Sequence, residues 1–112
     1  MKKLTIVTAV TLLLLSMNVF AEPHLDQAIE HATAAVEHGK AGHASVLVEH
    51  ARPALEHAMA ASVIAKSQTR THVEAAMKEL EEAIKHGKMD HADVATTHAE
   101  SALEHLNAAN KK

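Results

Sequence analysis

Every histidine in this 112-residue chain falls on a seven-residue lattice. The series runs His24, His31, His38; His43, His50, His57; His72, His86; and His91, His98, His105. Seven residues are two helical turns, so each run draws a nearly straight line of imidazoles down one helix face. The one vacant lattice position holds Glu79, itself a possible metal ligand. Imidazole is the commonest protein ligand for divalent transition metals, so the pattern points to a chain built around such ions.

Helices are legible beyond the histidines. Counted from each lattice position, apolar residues recur at +1, +4 and +5: Leu25, Ala28, Ile29, Ala32, Ala35 and Val36 in the first segment, Val73, Ala76, Met77, Leu80, Ala83 and Ile84 in the third. That is the stripe of an amphipathic helix, in segments rich in Ala, Glu, Leu and Lys. Shifted by 48 residues, the chain overlays itself without a gap: His24 on His72, His38 on His86, Gly39-Lys40 on Gly87-Lys88, Ala54-Leu55-Glu56-His57 on Ala102-Leu103-Glu104-His105. A repeat of that length holding two helical segments is a helical hairpin.

Two copies predict four helices, about 24–38, 43–61, 71–86 and 90–108. The expected fold is all-α, an antiparallel four-helix bundle made of two duplicated hairpins. Glycines 39 and 87 stand where the first and third helices would stop. A longer polar link from Ser62 to Arg70 would join the hairpins, and Pro53 predicts a kink, or a break near Arg52, in the second helix. Its counterpart is Ser101, so the fourth helix should be straighter.

Composition narrows the function. Met1-Lys2-Lys3, the apolar stretch Leu4 to Met17 and Val19-Phe20-Ala21 read as a secretory signal cleaved after Ala21. Residues 1–21 are then a leader, and 22–112 form one His-rich, periplasmic domain of 91 residues with no membrane attachment after cleavage. No cysteine is present, which excludes disulfides, thiolate sites and c-type haem. Without Lys2 and Lys3, nine basic residues face fourteen acidic ones, a net charge of −5, and no aromatic remains after Phe20. Nucleic acid would want the opposite on both counts. No HExxH, phosphate loop or nucleophile–base arrangement appears, so no enzyme chemistry is indicated.

The spacing sets how ions could be held. The apolar positions centre about 95° round the helix from the histidines, leaving the rings on the rim of the apolar face and largely open to solvent. Histidines seven apart are separated by about 10.5 Å of rise, too far to share an ion. In an antiparallel hairpin the stripes mirror about the turn, giving six levels: His38 with His43, His31 with His50, His24 with His57, His86 with His91, Glu79 with His98, and His72 with His105. Whether the stripes meet within hairpins or across the seam between them depends on bundle handedness, which the sequence leaves open. Glu30, Glu37, Glu49, Glu56 and Glu104 immediately precede lattice histidines and point about 100° away; Glu82 and Asp90 each lie four residues from His86. Nitrogen and oxygen donors without thiolate favour Cu(II) first, then Ni(II) and Zn(II). Met59, Met77 and Met89 are scattered and read as packing residues.

These residues also resemble a known family, the small periplasmic metal-binding proteins with histidine heptads. The likeness is carried by His31 through Glu37-His38-Gly39-Lys40-Ala41-Gly42-His43, Val48-Glu49-His50-Ala51, Thr71-His72-Val73, Glu82-Ala83-Ile84-Lys85-His86-Gly87, and Val94 to Glu100. The resemblance implies a monomeric four-helix bundle that takes up several Cu(II) ions, and also Ni(II) and Zn(II), in metal scavenging or detoxification. Pro53 and the lack of a His-rich C-terminal tail depart from that pattern. The competing class is a periplasmic stress or chaperone-like helical protein with a histidine pH switch. Protonating eleven imidazoles would carry the net charge from −5 to +6.

Overall fold

Apolar residues at +1 and +4 from the lattice positions within each helix give it one face to bury, and the chain buries all four together. The computed structural model describes residues 22–111. Its helices are α1 (Glu22–Lys40), α2 (Ala44–Ile64), α3 (Ser67–Lys88) and α4 (Ala92–Ala109). The leader, with its cleavage point at Ala21, lies outside the described residues.

Neighbours follow chain order: α1 packs on α2, α2 on α3, α3 on α4, and α4 closes on α1. Contacts at the helix ends give the directions. Asn110 Nδ2 donates to Asp26 Oδ1 at 3.1 Å, joining the end of α4 to the start of α1. Lys40 Nζ, at the end of α1, lies 3.5 Å from Glu100 Oε2, midway along α4. Both hairpins are antiparallel, as the histidine pairs below require, and the expected bundle is present.

The core is mostly alanine. Its largest fully buried side chains are Leu25, Leu47, Leu80, Leu106 and Val73, set among buried alanines on all four helices. The repeat halves complement one another: Leu47, Leu80 and Leu106 correspond to Ala95, Ala32 and Ala58, all buried. At these three places a large side chain in one half is matched by a small one in the other, whereas the equivalent Leu25 and Val73 are both large; the alternation helps a near-symmetric core fill without collision.

Met59 and Met89, expected to pack, are exposed, and three further local expectations need correction. First, α2 is continuous from Ala44 to Ile64 with Pro53 inside it, so there is no break at Arg52. Proline removes the donor to the Glu49 carbonyl, but Glu49 is exposed, where water can take that role. Burial of Ala51, Ala54, Ala58 and Ala61 holds the rest of the face in place. Second, the link between hairpins is only Ala65 and Lys66. The polar residues expected to loop extend helices instead, with the hydroxyl of Ser62 bonded back to the Met59 carbonyl. Ala65 is buried and its N–H reaches the Ala61 carbonyl, so the chain turns without leaving the core.

Third, Gly39 and Gly87 do not end helices. Both lie within the last turns, buried where the hairpins meet. A Cβ on Gly39 would collide with Thr96 Oγ1 and come within 2.7 Å of Leu47 Cδ1; one on Gly87 would lie 2.5 Å from Val48 Cγ2. Thr96 and Val48 are repeat equivalents, so the same close approach occurs twice. The left-handed residues that stop the helices are Gly42, at φ 81°, and its counterpart Asp90, at φ 62°.

Candidate metal-binding ladders

The turn that ends each odd-numbered helix also sets its first histidine pair. His43 N–H donates to the His38 carbonyl at 2.9 Å and Gly42 N–H to the Gly39 carbonyl at 2.9 Å. In the second hairpin His91 reaches His86 at 3.0 Å and Asp90 reaches Gly87 at 3.0 Å. This is the Schellman arrangement, in which the flanking side chains usually make an apolar contact. Here those side chains are imidazoles: His38 and His43 have ring centroids 6.1 Å apart, and so do His86 and His91. His43 and His91 also stand at the N-caps of α2 and α4 without a side-chain capping bond.

From those turns the stripes run side by side within each hairpin, and all six expected levels form. His31 and His50 have centroids 5.9 Å apart. His24 Nδ1 lies 3.3 Å from His57 Nδ1, and His72 Nδ1 lies 3.5 Å from His105 Nδ1. The mixed level is closed by the 2.7 Å contact of His98 Nδ1 with Glu79 Oε1. Since the ring order is α1–α2–α3–α4, the two seams carrying histidines lie on opposite sides of the bundle. The stripes converge within hairpins, which answers the question the sequence left open.

The levels are also joined to one another. His31 stacks on His57 at 5.9 Å, His38 on His50 at 5.4 Å, and His86 on His98 at 5.5 Å, each nearly parallel. The first hairpin therefore holds one unbroken zigzag: His24, His57, His31, His50, His38, His43. In the second, Glu79 interrupts the imidazole series. Nine of the eleven rings are half-buried, more enclosed than a solvated rim, and only His43 and His91 at the turns are exposed.

Donor spacing suits a metal shell. Two nitrogens bound tetrahedrally at about 2.0–2.1 Å stand about 3.3–3.4 Å apart. The Nδ1 pairs at 3.3 and 3.5 Å are already near that separation, and few side-chain movements would bring both lone pairs onto one ion. Among the described residues, Glu82, His86 and His98 form a three-donor group whose ligating atoms all lie within 4.8 Å of one another. Glu82 Oε1 is 4.0 Å from His86 Nε2. His86 Nδ1 is buried with no hydrogen-bond partner among the described residues, a condition that a bound ion or water would account for. Glu82 is the residue that the lattice reading passed over as a ligand. Its signal was the four-residue spacing to His86 on a helix face. Asp90 has the same spacing but sits in the turn, outside the helix.

At His57 the surroundings favour the neutral, ligating imidazole. Burial, followed by the neighbouring His24 and His31, lowers the His57 pKa from its ordinary 6.5, with Glu56 pulling weakly the other way. The hydrogen bond from His98 holds the Glu79 carboxyl below the usual carboxylate range. Ser101 adds to this with a 3.0 Å hydroxyl bond, while burial opposes it.

Eleven imidazoles in paired ranks and a mixed carboxylate–imidazole group describe a metal-binding protein. No curated protein matches the chain. The sequence model of the small metal-binding protein family matches residues 1–109, and the chain belongs to that family.

Proposed function

We propose that this protein sequesters several divalent transition-metal ions at once, Cu(II) foremost and Ni(II) and Zn(II) as well. On this reading it works in the periplasm as a monomer after removal of residues 1–21, buffering or detoxifying metal. The observation that carries it is the pairing of all six lattice levels within the hairpins, with Nδ1 atoms at metal-shell spacing in two of them. Copper leads because imidazole sites follow the intrinsic series in which Cu(II) stands highest. Storage is favoured over a single specialised site because the repeat supplies similar levels in series, open along the sides of the bundle.

Titration of the purified protein with Cu(II), Ni(II) and Zn(II) at constant pH, with stoichiometry from native mass spectrometry, tests it. More than one Cu(II) per chain is expected, with imidazole nitrogen couplings in the paramagnetic resonance spectrum. His50→Ala should lower capacity modestly and leave most binding intact. One ion per chain, an oxygen-only spectrum, or total loss on that one change would refute the reading. Absence of metal uptake with a pH-driven change in apolar exposure would favour the chaperone-like alternative.

A further inference from the structure

The two hairpins differ at many positions, and three of those differences converge on one place. Glu79 stands where the first hairpin has His31, Glu82 where it has Ala34, and Ser101 where it has Pro53. The equivalents of His86 and His98, namely His38 and His50, stack in the same way in the first hairpin, at 5.4 against 5.5 Å. The imidazole pair is therefore common to both halves, and what the second half adds is two carboxylates and a hydroxyl around it.

Those additions have separate geometries. Glu82 contributes a donor to the group it forms with His86 and His98. Glu79 is occupied: His98 Nδ1 meets its Oε1 at 2.7 Å, and Ser101 Oγ donates to its Oε2 at 3.0 Å. A neutral imidazole that donates Nδ1–H to a carboxylate carries its lone pair on Nε2, and the carboxylate makes that nitrogen more basic. In His24 with His57 and in His72 with His105 an Nδ1 faces another Nδ1, and either ring can donate. Among the described residues, His98 alone has a carboxylate within hydrogen-bond distance of a ring nitrogen, which fixes its tautomer.

We propose that Glu82, His86 and His98 form a distinct two-nitrogen, one-oxygen site for a divalent ion, filled before the all-imidazole levels, and that Glu79 is the positioning residue that holds His98 ready for it. This rests on the metal-sequestration reading and revises one part of it, since the lattice alone makes Glu79 a ligand. Three protein donors leave the fourth place of a tetrahedral ion to water. The first ion then enters a site whose ring orientation is already set, while each all-imidazole level must choose a tautomer and turn its rings on binding.

The test uses Zn(II) alone as probe, with imidazole nitrogen resonances followed by NMR and affinity for the first equivalent measured against a chelator. In the unsubstituted chain the first equivalent should shift His86 and His98 ahead of the six histidines of the first hairpin. Before metal is added, His98 should show the Nδ1–H tautomer. Glu79→Ala should mix the tautomers and weaken the first equivalent about 10- to 100-fold. Glu79→Gln keeps an oxygen that accepts from Nδ1–H and should restore both within a few-fold. Glu82→Gln should weaken the first equivalent while leaving the His98 tautomer unchanged. Circular dichroism of each variant monitors the fold. Equal filling of both hairpins by the first equivalent would overturn the proposal. So would a Glu79→Gln variant as weak as Glu79→Ala, which would make Glu79 a ligand. If only one Zn(II) binds but it goes to His86 and His98, the sequestration reading fails and this site stands.

Discussion

The seam between the hairpins can be perturbed without replacing any ladder residue, and Gly39→Ala does so. The new methyl would overlap Thr96 Oγ1 and lie 2.7 Å from Leu47 Cδ1 and 3.1 Å from Thr96 Cβ. Leu47 Cδ1 is the end of a flexible side chain and can move. Thr96 cannot: it is β-branched, its hydroxyl is bonded to the Ala92 carbonyl, and the Cβ contact involves the part of the side chain fixed to the α4 backbone. Helices α1 and α4 must separate, which places the overpacking cost near the top of its usual range, about 3 kcal/mol. Alanine in place of glycine within a helix returns about 1 kcal/mol. The net loss is about 2 kcal/mol, a fall in Tm of about 8–16 °C for a domain of this size. Adding Thr96→Ala removes the hydroxyl and methyl and should recover about 1–2 kcal/mol of that as a coupling term. Thermal unfolding of the two single variants and the double variant by circular dichroism measures all of this. Because the ladders lie within the hairpins, Cu(II) capacity of Gly39→Ala at 10 °C should equal that of the unsubstituted chain. A variant as stable as its parent would refute the tight seam, and a lost capacity would refute the confinement of the ladders to single hairpins.

Two other outcomes are expected. At the left-handed turn positions, Gly42→Ala meets no atom within 4 Å, so its cost of about 1 kcal/mol is conformational only; Asp90→Gly at the equivalent position should stabilise by a similar amount, both read from Tm. Metal and pH are coupled through the imidazoles: Cu(II) at 100 times the dissociation constant of one folded-state site adds about 2.7 kcal/mol at pH 7.5, an increment mostly lost at pH 5, and its persistence there would transfer the role to carboxylates. Without metal, the lowered pKa of His57 favours its neutral form in the fold, so its contribution is complete above about pH 6.5 and is lost as pH falls through its folded value. Glu79, held below its ordinary 4.5, adds a second loss beneath that pH, which Glu79→Gln should remove from the Tm profile.

Much of this was legible because the sequence states its period so plainly. Apolar residues at +1 and +4 from the lattice are buried in every helix, half-buried Ala92 excepted, and pairing about the turn follows from chain direction alone. What resisted reading was of two physical kinds. Convergence of the stripes within hairpins depends on which way the second hairpin packs, a tertiary choice that no single helix encodes. Glycine carries two uses with one letter: at Gly42 it supplies a left-handed backbone, and at Gly39 and Gly87 it supplies the absence of a side chain. The polar run Ser67 to Thr69 looked like a loop by composition, yet nothing in it forbids a helix, and bundle packing decided the matter. Glu82 was visible at helical spacing from His86, but a search confined to the lattice had no reason to weigh it.

The number of lattice positions per helix has its own physical limit. A seven-residue step turns an ideal helix through 700°, so the stripe slips about 20° for each heptad. Over three positions, such as His24 to His38, the slip is about 40°, and the first and last rings still face the same neighbouring helix. A fourth or fifth heptad on a straight helix would carry the stripe off the seam, or demand a left-handed supercoil that would also have to suit the alanine core. Turning after three positions avoids both. Each Schellman turn lowers the next ring into place opposite the last one, and the return helix repeats the same slip in mirror register. Capacity in such a fold therefore grows by adding hairpins and not by lengthening helices, and a 48-residue repeat is the form that this constraint takes in the chain.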